Sequence, residues 1–296
     1  MVGRRTSCLG GGHLARLRSV DARSRHLAEN VRGVEDPKGA RMSKSKAGQV
    51  RIGTSGYQYR HWKGIFYPDT IRQRDWFAHY AGFFDTVELN NTFYRLPGPQ
   101  TFQNWRDRTP EGFCWVLKYS RFGSHIMHLK DPARHLGPFL ANAELLQPFL
   151  GPILVQLPPS WHVDLARLDE FLAAAPRQHR WALEFRHPSW LCAEVYAVLR
   201  RYGAALCIHD KLPDHPHEIT TAWTYLRYHG GPQEGNYPDT YLREQATRII
   251  GLRRRGLDVY AFFNNDQHGY ALINAADLRT LVTGQPNRLR ELQWFW

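Results

Sequence analysis

Residues 181–190 read "WALEFRHPSW", and this stretch decides how the rest of the chain is read. Its apolar residues mark a short buried strand, yet Glu184 and Arg186 stand two positions apart inside it. In an extended chain, side chains two apart leave on the same side. One face of this strand is therefore apolar and the other carries an acid and a base, so the two faces meet different surroundings.

Seven further runs share this character: "VRIGTSGY" (50–57), "DTVELNNTFY" (85–94), "FCWVLKYS" (113–120), "PILVQLPPS" (152–160), "AALCIHD" (204–210), "TYLRYHG" (224–230) and "VYAFFNND" (259–266). Amphipathic or capped segments separate most of them, predicting helices over 69–84, 99–108, 132–150, 164–174, 192–202, 239–255 and 275–282. Strands alternating with helices imply parallel pairing through crossovers. Eight such units in one domain of this size predict an α/β fold, a TIM-like (β/α)8 barrel over residues 49–285. The sixth connection, "KLPDHPHEITTA" (211–222), is short and Pro-rich, which predicts an irregular link and leaves six or seven strands as the alternative.

Parity along the strands places Ser55, Glu88, Asn90, Lys118, Ser120, Gln156, Glu184, Arg186, His209, Arg227, His229 and Asn264 on one side. The alternate positions are mostly aliphatic or Phe, and in a barrel that face meets the helices. The polar set then points into the lumen near the strand C-terminal ends, where such barrels carry their sites. Buried charges cost several kcal/mol each before pairing, by a rough estimate. A ligand pocket justifies so many; satisfied structural ion pairs are the competing explanation.

Five blocks, "IGTSGYQYRHWKGIFYP", "FFDTVELNNTFYRLP", "FCWVLKYS", "ILVQLPPSW" and "ALEFRHPSW", resemble in order those of the DUF72, or YecE-like, family. The similarity runs from about Arg51 to Val282. It implies a TIM-like barrel and brings no reaction with it.

Function is therefore argued from the inward set. Glu88 and Glu184 suggest paired carboxylates of the glycosidase type, but Lys118, Arg186 and Arg227 add more positive charge than a neutral sugar calls for. The expected reading is a hydrolase-like enzyme for an anionic or phosphate-containing substrate. Its expected catalytic residues are Glu88, Glu184, His209 and His229, and its expected substrate contacts are Tyr57, Trp62, Asn90, Lys118, Gln156, Arg186, Arg227 and Asn264. Glu184 has two candidate roles, transferring a proton or holding Arg186. His209, Asp210, His229, Asp266 and His268 could join Glu88 and Glu184 around a divalent metal, though three nearby cations oppose one and no dense ligand motif is present. No cofactor is assigned. The alternative partner is nucleic acid, bound without catalysis by the basic body and by rim aromatics following the strands.

The net charge of +12 is uneven: residues 1–48 hold 11 Lys+Arg against 4 Asp+Glu, leaving 28 against 23 in the remainder. Residues 1–48 read as a disordered basic tail; a transit peptide is opposed by Asp21, Glu29, Glu35 and Asp36, and a start at Met42 is a third reading. Residues 286–296 form a short extension. Cys8, Cys114, Cys192 and Cys207 are widely spaced, which predicts free thiols. No apolar run reaches the length of a membrane span and no secretory signal is apparent, so a cytoplasmic protein is expected. Oligomeric state is not legible.

Overall fold

A computed structural model describes residues 46–231 and 235–292. Most of the 1–48 segment, including Met42, lies outside the described residues. The strands are β1 (Val50–Thr54), β2 (Thr86–Leu89), β3 (Cys114–Lys118), β4 (Leu150–Gln156), β5 (Trp181–Glu184), β6 (Ala205–His209), β7 (Trp223–Tyr228) and β8 (Asp258–Phe263). All pair in parallel, in the order β1-β8-β7-β6-β5-β4-β3-β2. A single parallel bridge, Ser55 to Glu88, joins β2 back to β1, whereas every other neighbouring pair shares a ladder. The eight strands thus form a nearly closed (β/α)8 barrel. At the β1–β2 join Gly53 leaves room for the partner backbone: a Cβ there would lie 2.4 Å from the Thr86 carbonyl oxygen.

The helices are α1 (Trp76–Ala81), α2 (Asn91–Tyr94), α3 (Pro99–Asp107), α4 (Ala133–Ala143), α5 (Leu165–Ala174), α6 (Ala193–Tyr202), α7 (Asp239–Arg254) and α8 (Tyr270–Thr283). Local chemistry explains several ends. Asp164 caps α5 by accepting from the Arg167 N–H at 3.0 Å, and Gly203 (φ 67) ends α6 in the left-handed conformation. The helix expected over 69–84 shrinks to α1, because "DTIRQRD" before it has too few apolar residues to bury a face. The helix expected over 132–150 ends at Ala143, and the chain leaves it through a 3-10 turn, Glu144–Leu146, ahead of Pro148. The run 85–94 splits into β2 and the short α2, since Asn90 already has helical dihedrals (φ −93°, ψ −18°).

The sixth connection contains no helix: turns and extended chain lead from His209 to Trp223. Thr220 anchors it to β6, donating to the Ala204 carbonyl at 2.7 Å and accepting from the Leu206 N–H at 3.0 Å. Irregularity here costs the barrel no strand, and the six- and seven-strand alternatives fall away.

Two apolar clusters hold the barrel. The larger lies between strands and helices. The smaller fills the lumen with Val116, Leu154, Ala182, Ala205, Cys207, Trp223, Tyr225, Tyr260 and Phe262. Small residues on β5 and β6 face aromatic ones on β7 and β8, which is how a lumen of this diameter packs solid. Arg180 sits below this plug, 2.8 Å from Asp258 and 2.9 Å from the Tyr260 hydroxyl. No helix among the described residues is long and apolar enough to cross a membrane.

Candidate functional site

Above the aromatic plug, at the strand C-terminal ends, the inward polar residues form two layers with opposite character. The lower layer is an ion network centred on Arg227, which is 1% exposed. Its guanidinium donates to Glu184 Oε2 at 2.6 Å and to Glu88 Oε1 at 2.7 Å. Glu88 is further bound by the Ser55 and Tyr225 hydroxyls, each at 2.6 Å, and Glu184 also pairs with Arg186. Both carboxylates are fully buried. Burial pushes the Glu184 carboxyl up, but the Arg227 and Arg186 charges outweigh it and hold the group well below the usual carboxylate range.

The two lumen histidines are tied into the same framework. Arg186 can only donate, so His229 Nε2, 3.2 Å from its guanidinium, is an acceptor and the ring proton lies on Nδ1, an arrangement that turns the Asn264 amide, 3.1 Å away, so that its oxygen and not its nitrogen faces the ring. Burial and the Arg227 charge lower the His229 pKa to about 2. His209 Nε2 donates to the Phe185 carbonyl at 2.8 Å and Nδ1 accepts from the Lys211 N–H at 3.2 Å. Burial lowers its pKa as well. Burial thus favours the neutral form of both rings, and every ring nitrogen faces a polar neighbour.

The upper layer is open. A cavity of about 480 Å³ lies over β1, β2, β3, β7 and β8, lined among others by Tyr57, Asn90, Asn91, Lys118, Arg227 and Asn264. Gly56 (φ 99) turns the chain out of β1 into the loop that walls the cavity, and Tyr59 locks that turn by donating to the Ser55 carbonyl at 2.5 Å. Lys118 rises from the end of β3 with Nζ 4.2 Å from the centroid of the Phe93 ring. It is 8% exposed, and no carboxylate among the described residues pairs with it. Burial, then the Arg227 charge, lowers its pKa to about 8, with Glu184 and Glu88 pulling the other way. The side-chain oxygens of Asn90 and Asn91 are buried without a hydrogen-bond partner.

Of the expected site residues, Tyr57, Asn90, Lys118, Arg227 and Asn264 line this cavity; Glu88, Glu184, Arg186, His229 and Arg227 meet in the network below it. Trp62 does neither. It is fully buried among Tyr59, Phe66 and Tyr67, donating to the Asp266 carbonyl at 3.1 Å, and so supports the loop after β1 from behind. Gln156 stands level with Glu184 in the β4–β5 register, away from the cavity lining. The proposed metal ligands are dispersed: Asp210 accepts from the backbone N–H groups of His229 and Gly231, Asp266 pairs with His61, and no group of three or more donors that could hold a metal forms among the described residues. Asn91, Tyr94, Ser55 and Tyr225 were not among the expected site residues. Tyr225 shares the parity of Arg227 two positions later, a signal that a second step down the strand exposes.

A parallel barrel with its polar groups gathered at one mouth defines the class of protein. The family profile described as "Protein of unknown function DUF72" matches residues 51–294, and the chain belongs to that family. It is 32% identical to the UPF0759 protein YecE of Escherichia coli over 142 residues, a match spanning 46% of this chain and only 52% of that relative. It is 24% identical to the UPF0759 protein YunF of Bacillus subtilis over 79% of this chain and 94% of YunF. A DUF72 family protein of Thermotoga maritima superposes with a TM-score of 0.72 at 28% identity, covering 79% of this chain and 99% of that one. A DUF72 family protein of Enterococcus faecalis shares the fold, with a TM-score of 0.68 at 17% identity over 79% of this chain and 95% of that one.

Proposed function

We propose that the protein is an enzyme for a small anionic substrate, held in the barrel-mouth cavity with Lys118 as its charge partner and proton-transfer group. One observation carries this reading: Lys118 is a buried cation that lines a cavity and, among the described residues, forms no ion pair, Glu88 and Glu184 acting on it only from a distance. Arg227 and Arg186, expected to share the clamp, are already neutralised by Glu88 and Glu184. With a pKa of about 8, Lys118 exchanges a proton near neutral pH, the task first assigned to the two carboxylates. The unpartnered oxygens of Asn90 and Asn91 offer acceptors for substrate hydroxyl or amino groups.

Inorganic phosphate tests the anion site. At constant ionic strength it should raise the melting temperature of the wild-type protein, by the equivalent of about 1.4 kcal/mol at tenfold excess over Kd, and leave Lys118→Met unmoved. Equal rises in both proteins would remove Lys118 from the site. Nucleic-acid binding without catalysis keeps one supporting feature, the Tyr94 ring, 77% exposed at the cavity rim. A single-stranded oligonucleotide that binds both proteins alike, with affinity falling steeply in salt, would favour that reading instead.

A further inference from the structure

We infer that Lys118 is a covalent nucleophile, and that the cavity takes a small anionic carbonyl compound, a keto acid or a phosphorylated aldehyde or ketone, as an imine on Nζ. The inference rests on the cavity being the substrate site. It adds the reacting bond.

The geometry has three parts. Lys118 is a primary amine with its tip in an open cavity, so a small molecule can reach it. Among the described residues no carboxylate forms an ion pair with it; the Phe93 ring lies over it, and Arg227 and Arg186 act on it from the layer below against Glu184 and Glu88. Finally, the layer beneath is closed: Arg227 satisfies Glu88 and Glu184 and leaves neither free to capture the Lys118 ammonium. A pKa of about 8, against 10.5 for an ordinary lysine, makes the reactive neutral amine about 300-fold more abundant at pH 7 than on an exposed side chain.

The step balances without an added reagent. Neutral Nζ attacks the carbonyl carbon, the C=O π pair moves to oxygen, and oxygen takes a proton to give the carbinolamine. Loss of water then leaves a protonated imine. From ammonium and carbonyl, the sum is one protonated imine and one water. Charge is unchanged: the positive nitrogen remains, next to the anionic group that arrived with the substrate. The three cations and two carboxylates of the mouth keep their balance through the reaction. The protonated imine withdraws electrons from the adjacent carbon, which fits the site for proton removal or carbon–carbon bond cleavage beside the original carbonyl.

Glyoxylate and pyruvate, each with cyanoborohydride, are the probes, and peptide mass mapping is the readout. The chain has seven lysines, so each can be followed separately. The expected result is reductive alkylation of Lys118 at probe concentrations that leave Lys63, Lys130 and Lys211, all exposed, unmodified. Phosphate should suppress it, and its pH profile should rise to a plateau above about pH 8. Lys118→Arg, which keeps the positive charge, should lose the adduct while retaining phosphate stabilisation. Labelling that follows exposure and spares Lys118 overturns the inference. The two readings fail separately: phosphate stabilisation with no adduct on Lys118 removes the imine alone, and an adduct with no phosphate effect removes the anion site alone.

Discussion

Arg227 and Lys118 are both buried cations in adjacent layers of one lumen, yet they meet different surroundings. Arg227 reaches the floor of the cavity but is bridged to two carboxylates and 1% exposed. Lys118 is also buried, but it opens on the cavity with an aromatic ring for company. A buried charge that has found its partners serves the architecture; in the proposed function, one that has not takes its partner from solution. The lower layer is an ion network and the upper layer lines a cavity.

The contrast is tested most severely by Glu184→Gln. It leaves Arg227 and Arg186 short of a counter-charge in a closed layer and should destabilise the fold by about 3–5 kcal/mol. In chemical denaturation the midpoint should fall at unchanged slope. An unaltered midpoint would break the distinction between the layers. Lys118→Met should do the opposite, matching or exceeding wild-type stability at pH 7, because it relieves a charge the fold keeps at a penalty.

The Lys118 pKa fixes the pH signature of that difference. It is lowered to about 8, so between about pH 8 and 10 the unfolded chain holds a proton that the folded chain has lost. Stability of the wild type should therefore rise across this window, by at most about 3 kcal/mol, and Lys118→Met should lack the rise. Above it, buried tyrosines such as Tyr80, pushed up by burial, reverse the trend as they ionise on unfolding.

On the acid side His229 contributes to the same comparison, together with other buried histidines such as His125 and His215, both lowered to about 4. Its folded pKa is about 2 and its unfolded value about 6.5, so stability falls as pH drops below 6.5, at about 1.4 kcal/mol per unit. Between pH 6.5 and 5 the His229 share amounts to about 2 kcal/mol, and His229→Asn should remove that share while His125 and His215 keep the rest of the fall. The smallest effect belongs to Tyr94 at the exposed rim: Tyr94→Ala should change stability by less than about 0.5 kcal/mol. A larger loss would mean that the rim packs as part of the barrel.

Much of this was legible in the chain. Strand parity brought Glu88, Glu184, Arg186 and Arg227 to one end of the lumen, because alternation is a property of the extended backbone and needs no tertiary information. Parity says which way a side chain leaves, but not whom it meets. Glu88 and Glu184 therefore read as paired carboxylates with no sign of Arg227 between them, although it is long enough to reach both. Trp62 and Asn91 were obscure for a different reason. They lie in the connections after β1 and β2, where orientation depends on local turns, Gly56 and the helical Asn90 among them, and not on a repeating period.

The lone bridge between β1 and β2 bears on dynamics. A cylinder of ladders with one thin join has a slit, and this slit runs up to the cavity: the Gly56–Tyr59 wall continues β1, and Asn90 and Asn91 continue β2. Amide hydrogens along it should exchange with deuterium sooner than those between β4 and β5. An occupant touching both walls would act as a clasp, slowing that exchange from outside the backbone. Breathing of the barrel and filling of its mouth are then the two directions of one equilibrium.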